Sequence, residues 1–187
     1  MSESPPIESN RTTLQLQDDE KSVNVMAYTH SSIHWGTVIV KNPIRVSTWL
    51  RTNLAPDLIT IYNASSLNTA IPGAKPIQSR ELYLFTNQII AFHMIPPQED
   101  PPDYDPTEPN RYMDPISILV GTFRIDGHIR LSLISNVEKY LDRTREEFTS
   151  IYDAKIYNIA NINSGVMKVP YLIVRQDTVV YTKRMNK

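Results

Sequence analysis

The chain has 187 residues, a mass of 21.4 kDa, a formal net charge of -1 and a hydrophobic fraction of 41%, ordinary values for one medium or two small packed domains. It contains no cysteine, which excludes disulfides, thiol catalysis, thiolate zinc sites and iron-sulfur clusters. A near-neutral sum carries no global signature of a nucleic-acid binder, although it conceals separated patches.

Residues 1–21 are polar, with Pro5, Pro6 and an Asp18-Asp19-Glu20 run. They lack the basic start and apolar stretch of a secretory signal, so a loosely held segment and a cytoplasmic location are expected. The longest apolar run, Ile89 to Ile95, is interrupted by His93 and is too short to cross a bilayer as a helix. No membrane association is expected.

From residue 22 the chain resembles itself. Gly36-Thr37-Val38-Ile39-Val40 and Ile44-Arg45-Val46-Ser47 return as Gly121-Thr122-Phe123-Arg124-Ile125 and Ile129-Arg130-Leu131-Ser132. Ile61-Tyr62-Asn63-Ala64 returns as Ile151-Tyr152-Asp153-Ala154. Leu82-Tyr83-Leu84-Phe85 with Ile89-Ile90-Ala91-Phe92 then finds a counterpart in Tyr171-Leu172-Ile173-Val174 with Thr178-Val179-Val180-Tyr181. Self-similarity of this kind predicts an internal duplication, with Gly36 matched to Gly121 and Arg45 to Arg130. The expected organisation is a β-rich repeat over 22–93, a linker over 94–115 and a second β-rich repeat over 116–187.

Short runs of Val, Ile, Thr, Tyr and Phe, punctuated by polar residues and glycine, predict antiparallel strands in both repeats. Each repeat is expected to be a small-β module with one short helix, giving a mainly β (α+β) fold. In the first repeat Val38 and Val40 point inward, and Ile39 is left on the outer face as a candidate interface residue. Ser47 is placed to cap a helix over Thr48 to Asn53, with Trp49 and Leu50 buried, ended by Ala55-Pro56. In the second repeat, Leu119, Phe123 and Ile125 alternate with Thr122 and Arg124. There Ser135 and Glu138 fit a capping box, and Leu133, Val137, Tyr140 and Leu141 form the apolar stripe of a helix that runs towards Arg143.

The linker holds Pro96, Pro97, Pro101, Pro102, Pro106, Pro109 and Pro115, a density at which neither helix nor central strand is expected. Six carboxylates (Glu99, Asp100, Asp103, Asp105, Glu108, Asp114) face one base, Arg111, and a solvated acidic spacer is the favoured reading. With residues 1–21 acidic as well, the two repeats are left basic.

Few residues suggest chemistry. His30 and His34 have i, i+4 spacing, but a metal needs a third ligand that the sequence does not offer nearby, so a turn or strand-end surface is favoured and no cofactor is expected. The dinucleotide and phosphate-loop glycine patterns and the G-x-S-x-G elbow are absent. An enzyme would need a deep polar pocket near His30, His34, His93 or His128. Asn63 and Asp153 share one repeated position, which argues for a structural role there.

The repeated string (Gly-Thr, Ile-Arg-[Val/Leu]-Ser, a short helix, Ile-Tyr-[Asn/Asp]-Ala and a closing strand pair) resembles uncharacterised bacterial duplicated small-β domains of unknown function, over about three quarters of the chain. The resemblance implies a β fold and carries no activity. A more distant likeness is to Sm-like small barrels, which set a helix beside a bent five-stranded sheet. No signature of their RNA pocket is present.

The leading expectation is a non-enzymatic interaction or assembly protein that binds a protein partner or itself through exposed apolar residues, Ile39, Tyr83 and Phe85 being the candidates. The alternative is a nucleic-acid-binding module in which Arg45, Arg130, Lys183 and Arg184 meet phosphates and aromatics such as Tyr83, Phe85, Tyr171 or Tyr181 stack on bases.

Overall fold

The computed structural model describes residues 16–52, 55–144, 146–160 and 165–183. The fold is mainly β, as expected. Ten strands form one antiparallel sheet: β1 (Glu20–Tyr28), β2 (Ser32–Lys41), β3 (Leu58–Asn68), β4 (Ile77–Phe85), β5 (Ala91–Met94), β6 (Arg111–Val120), β7 (Phe123–Ser132), β8 (Phe148–Asn158), β9 (Val166–Arg175) and β10 (Val180–Thr182). Their spatial order is β10-β6-β7-β8-β9-β5-β1-β2-β3-β4. The first five strands therefore run β5-β1-β2-β3-β4, and the second five repeat that order as β10-β6-β7-β8-β9. The halves join where β5 pairs with β9, with Ala91 opposite Val174 and Phe92 opposite Ile173.

Bulges fix the correspondence between the halves. The β2–β3 ladder slips between Trp35 and Thr37, and the β7–β8 ladder slips between Asp126 and His128. Gly36 and Gly127 occupy these slips, and they meet the same neighbours. A Cβ on Gly36 would lie 2.6 Å from the Tyr62 carbonyl oxygen and 2.8 Å from Ile61 Cγ2. On Gly127 it would lie 2.9 Å from the Tyr152 oxygen and 2.7 Å from Ile151 Cγ2. Opposite each bulge stands a residue of positive φ, Asn63 (47°) and Asp153 (50°), types whose short polar side chains tolerate that region.

The structural partner of Gly36 is thus Gly127. Gly121 instead lies in the turn between β6 and β7. The same shift sets Ile39 against Arg130 and leaves Arg45, just past β2, outside the match. A run of Gly-Thr followed by Ile-Arg attracted the sequence alignment, but the backbone requires glycine where two strands approach closely. Gly36→Ala and Gly127→Ala are each expected to lose about 1 to 3 kcal/mol by overpacking against a backbone oxygen; urea unfolding midpoints measure the loss.

Period-two burial is strict in β7, where Phe123, Ile125, Gly127, Ile129 and Leu131 face inward and their neighbours are half-buried. In β6 the inward residues are Ile116, Ile118 and Val120, while Leu119, expected inside, is 38% exposed. Strand β6 begins at Arg111, so the linker ends earlier than Pro115. That proline is tolerated because β10 covers only Ser117 to Leu119 of β6, leaving the Pro115 edge without a ladder to break. Likewise Glu20 and Lys21 belong to β1 and not to the N-terminal segment.

Two short helices flank the sheet between equivalent strands. The first is a 3-10 helix, Val46–Arg51, that buries Trp49 and Leu50 as expected, although Ser47 lies inside it and caps nothing with its side chain; Asn53 lies outside the described residues. The second is α1 (Val137–Arg143). Asn136, one residue after the expected cap Ser135, accepts from the Lys139 amide at 2.8 Å. Leu133 is exposed, and Val137, Tyr140 and Leu141 carry the contact with the core.

The two apolar clusters do not respect the division into halves. The cluster of the second half takes in Met26, Tyr28, Ile90 and Ala91, with Tyr28 edge-on to Phe123 at 5.1 Å between ring centres. The cluster of the first half takes in Phe148 and Ile173. Sharing side chains across the junction enlarges both cores, which matters because segments of this length bury too little surface alone.

Candidate functional site

The junction and the two outer edges of the sheet hold the features that remain after the cores are accounted for. At the junction, the acidic segment crosses one face and is bonded to both halves. This replaces the expected solvated spacer. Gln98 Oε1 accepts from the Asn24 amide at 2.6 Å, and Asp100 Oδ2 accepts from the Ser47 amide at 2.8 Å, filling an orphan donor at the start of the 3-10 helix. Arg45 donates to the Pro101 carbonyl.

Asp103 is the centre of this strap. Its side chain is 9% exposed. Arg51 Nη1 from the first half donates to Asp103 Oδ2 at 2.7 Å, and Tyr171 from the second half does so at 3.1 Å. Tyr152 donates to Oδ1 at 2.8 Å, with Ser150 3.4 Å from Oδ2. Burial, then the Asp103 carboxylate, holds the Tyr152 phenol above its ordinary value. Tyr171 is pushed up to about 12, again chiefly by burial, so both phenols keep the protons they donate. Beyond Asp103, Tyr104 lies edge-on to Tyr152 at 5.1 Å and under the Arg130 guanidinium at 4.6 Å. A cleft of about 470 Å³ remains between strap and sheet, lined by Ser47, Met94, Pro102, Tyr152 and Pro170 among others.

The strap also engages the cations considered for nucleic acid. Besides Arg45, Arg130 donates to Glu108 Oε2 at 2.8 Å and to the Asp105 carbonyl at 3.0 Å. Lys183 pairs with Asp114 of β6, outside the strap, at 2.9 Å. Arg184 lies outside the described residues. The stacking aromatics are dispersed as well: Tyr171 binds Asp103, Tyr181 is half-buried against the second core, and only Tyr83 and Phe85 stand exposed.

The histidines do not converge. His30 lies in the turn before β2 and His34 within β2, bonded to Ser66 Oγ at 2.8 Å. His93 is buried, its Nδ1 donating to the Met94 carbonyl at 2.8 Å and its Nε2 accepting from Tyr28 at 3.1 Å. His128 borders a second cleft of about 440 Å³ with Asp114, Ser117, Asp126, Lys155 and Lys183. Of its three carboxylates, Asp114 pairs with Lys183, and Asp126 bonds Ser117 at 2.6 Å and Arg124 at 3.4 Å; the third is Asp153. Among the described residues no three His, Asp or Glu side chains are grouped to hold a metal ion.

The outer edges are β4 and β10. Along β4, Ile77, Tyr83 and Phe85 are 70%, 61% and 54% exposed, and on β10 Val180 is 58% exposed. Two of the expected interface residues, Tyr83 and Phe85, thus share one open edge. Ile39 is half-buried within β2, between β1 and β3, away from that edge. An open strand edge offers unpaired amides and carbonyls to an incoming strand. With exposed apolar side chains beside them, it provides both the hydrogen bonds and the contact area of strand addition.

No family model matches the sequence, and no curated protein or solved structure matches the chain. No helix among the described residues is long and apolar enough to cross a membrane.

Proposed function

We propose that the chain is a cytoplasmic, non-enzymatic assembly protein, built as two tandem copies of one small-β module, that joins protein partners or itself by adding strands at its sheet edges. The observation that carries this reading is the exposure of Ile77, Tyr83 and Phe85 along β4, an edge strand that no other described strand pairs, with Glu81 between them on the same face and bonded to the Tyr83 hydroxyl. The repeated strand order and the matched bulges at Gly36 and Gly127 support common descent of the halves.

The nucleic-acid alternative gains no support from the positions of its cations, since Arg45, Arg130 and Lys183 are each bonded within the chain. Copurification from native cells tests the proposal. The wild-type chain is expected to bring down a stoichiometric protein, its own chain or another, and the Ile77→Lys/Tyr83→Lys variant to lose it. Recovery of nothing, or of nuclease-sensitive material alone, would overturn it.

A further inference from the structure

The edges β4 and β10 are not merely open: they are the two surfaces that already join each other inside the chain. Strand β4 corresponds to β9, because Leu58 opposite Phe85 and Ile61 opposite Leu82 repeat as Phe148 opposite Arg175 and Ile151 opposite Leu172. Strand β10 corresponds to β5. Ala91 pairs with Tyr28 and Val180 with Leu119, and the Val25–Gly36 and Ile116–Gly127 pairs place Tyr28 and Leu119 at the same position. The internal joint is therefore a β9 edge closed by a β5 edge, and the sheet ends in a copy of each that no other described strand pairs.

Burial at matching positions shows what the free edges lack. Ile173 and Arg175 are 0% and 7% exposed where the joint is formed, whereas their counterparts Tyr83 and Phe85 are 61% and 54% exposed. Ala91 is fully buried at the joint, whereas its counterpart Val180 is 58% exposed. Tyr83 and Val180 are large and apolar, suited to the buried setting of Ile173 and Ala91, whereas Arg175 fills its position as a cation donating to the Ile89 and Thr86 carbonyls at 2.9 and 2.7 Å, bonds that Phe85 does not make.

Resting on the assembly reading above, we infer that the partner is a second copy of this chain. Strand β4 of one copy pairs antiparallel with β10 of the next, Leu84 opposite Val180 and Tyr83 opposite Tyr181, in the register of the internal joint. The short β10 is long enough for the same ladder, which at the internal joint comprises two residue pairs and the Arg175 amide donating to the Ile90 carbonyl at 2.8 Å. The Phe85 amide supplies the matching donor. Its neighbour Thr86 donates back to Asp57 at 2.9 Å, so the Phe85 N–H points away from β3. Because unlike edges meet, the contact is heterologous and propagates to a ring or an open series, not to a two-fold dimer.

Phe85→Pro isolates this contact. Phe85 has φ of -68°, the torsion proline imposes, and its amide points away from β3, so the substitution spares the β3–β4 ladder while it removes the outward donor and the exposed ring. Val180→Lys blocks the other edge with a charge. In sedimentation velocity on the purified chain, from low micromolar to near-millimolar concentration, the wild type is expected to exceed the mass of a dimer. Each variant alone should be monomeric, and their mixture should give a one-to-one dimer and nothing larger. Tyr83→Glu repeats the β4 test in a chain that keeps its backbone donors, and circular dichroism confirms folding. A wild-type monomer throughout, a Val180→Lys chain that still dimerises through β4 alone, or a mixture that fails to pair would each overturn the inference. If the purified chain is monomeric while the β4-dependent copurification persists with a different protein, the second-copy inference falls and the assembly reading stands.

Discussion

Asp103→Ala is expected to lower the stability of the folded chain by about 3 kcal/mol, towards the lower end of the cost of breaking a buried ion pair because Arg51 keeps partial solvent access. The loss arises from what stays behind. Without the carboxylate, the Tyr152 phenol loses its acceptor, Tyr171 is left with Ser150 Oγ at 2.8 Å, and Arg51 is left with Ser150, the Tyr171 hydroxyl at 3.2 Å and the more exposed Glu146 at 3.3 Å. Since Arg51 belongs to the first half and the two tyrosines to the second, the loss falls on the contact between halves. Urea unfolding followed by circular dichroism measures it. Asp103→Asn, which keeps one acceptor oxygen, is expected between wild type and alanine. Asp105→Ala, which removes an exposed acceptor of Thr107, is expected to move the midpoint far less. Equal midpoints for the Asp103 and Asp105 variants would mean that the strap is not anchored through this carboxylate.

Acidification is expected to weaken the fold well before the carboxylates protonate. Burial depresses the His93 pKa from 6.5 to about 4, with the bond to the Met94 carbonyl opposing the shift only partly. The folded chain therefore keeps this imidazole neutral down to about pH 4, while the unfolded chain takes up its proton near pH 6.5. Between those values the unfolded state binds more protons, so stability is fully present above pH 6.5 and declines as pH falls towards 4, by about 3 kcal/mol for this group. His34, also depressed by burial, acts in the same direction. The slope of unfolding free energy against pH between 4 and 6.5 is the observable. His93→Gln is expected to flatten it even if that variant is less stable overall. An unchanged slope in the variant would show that His93 does not titrate across this window.

The strand-rich composition and alternation were sufficient to predict β structure, because period-two burial in segments such as β7 is a local property of side-chain order. The helix over Val137–Arg143 was legible for a similar reason, and only its cap moved by one residue, from Ser135 to Asn136, two types that fill the position about equally well. The match of Gly36 to Gly121 failed because resemblance in sequence does not distinguish two requirements for glycine: Gly36 and Gly127 lie where the Tyr62 and Tyr152 carbonyls crowd the facing strand, whereas Gly121 lies in a turn at φ 54°, with its Cβ position 2.9 Å from the His30 carbonyl oxygen. Tyr83 and Phe85 are legible as apolar residues of one segment, but their exposure follows from the position of β4 at the sheet edge. Asp103 carried no local signal at all. It is one carboxylate among six in an irregular segment, and what distinguishes it is the convergence of Arg51, Ser150, Tyr152 and Tyr171 from distant parts of the chain.

By itself, the sequence determined the kinds of element and their approximate extents, since these depend on side-chain alternation and on backbone restrictions imposed by proline and glycine. The tertiary structure alone decided that β5 pairs with β9, that the acidic segment is a strap and not a spacer, and that β4 and β10 are the outer strands of the sheet among the described residues. Those outcomes depend on contacts between residues far apart along the chain, where the free energy of shared burial and of a multiply bonded carboxylate is set by three-dimensional placement.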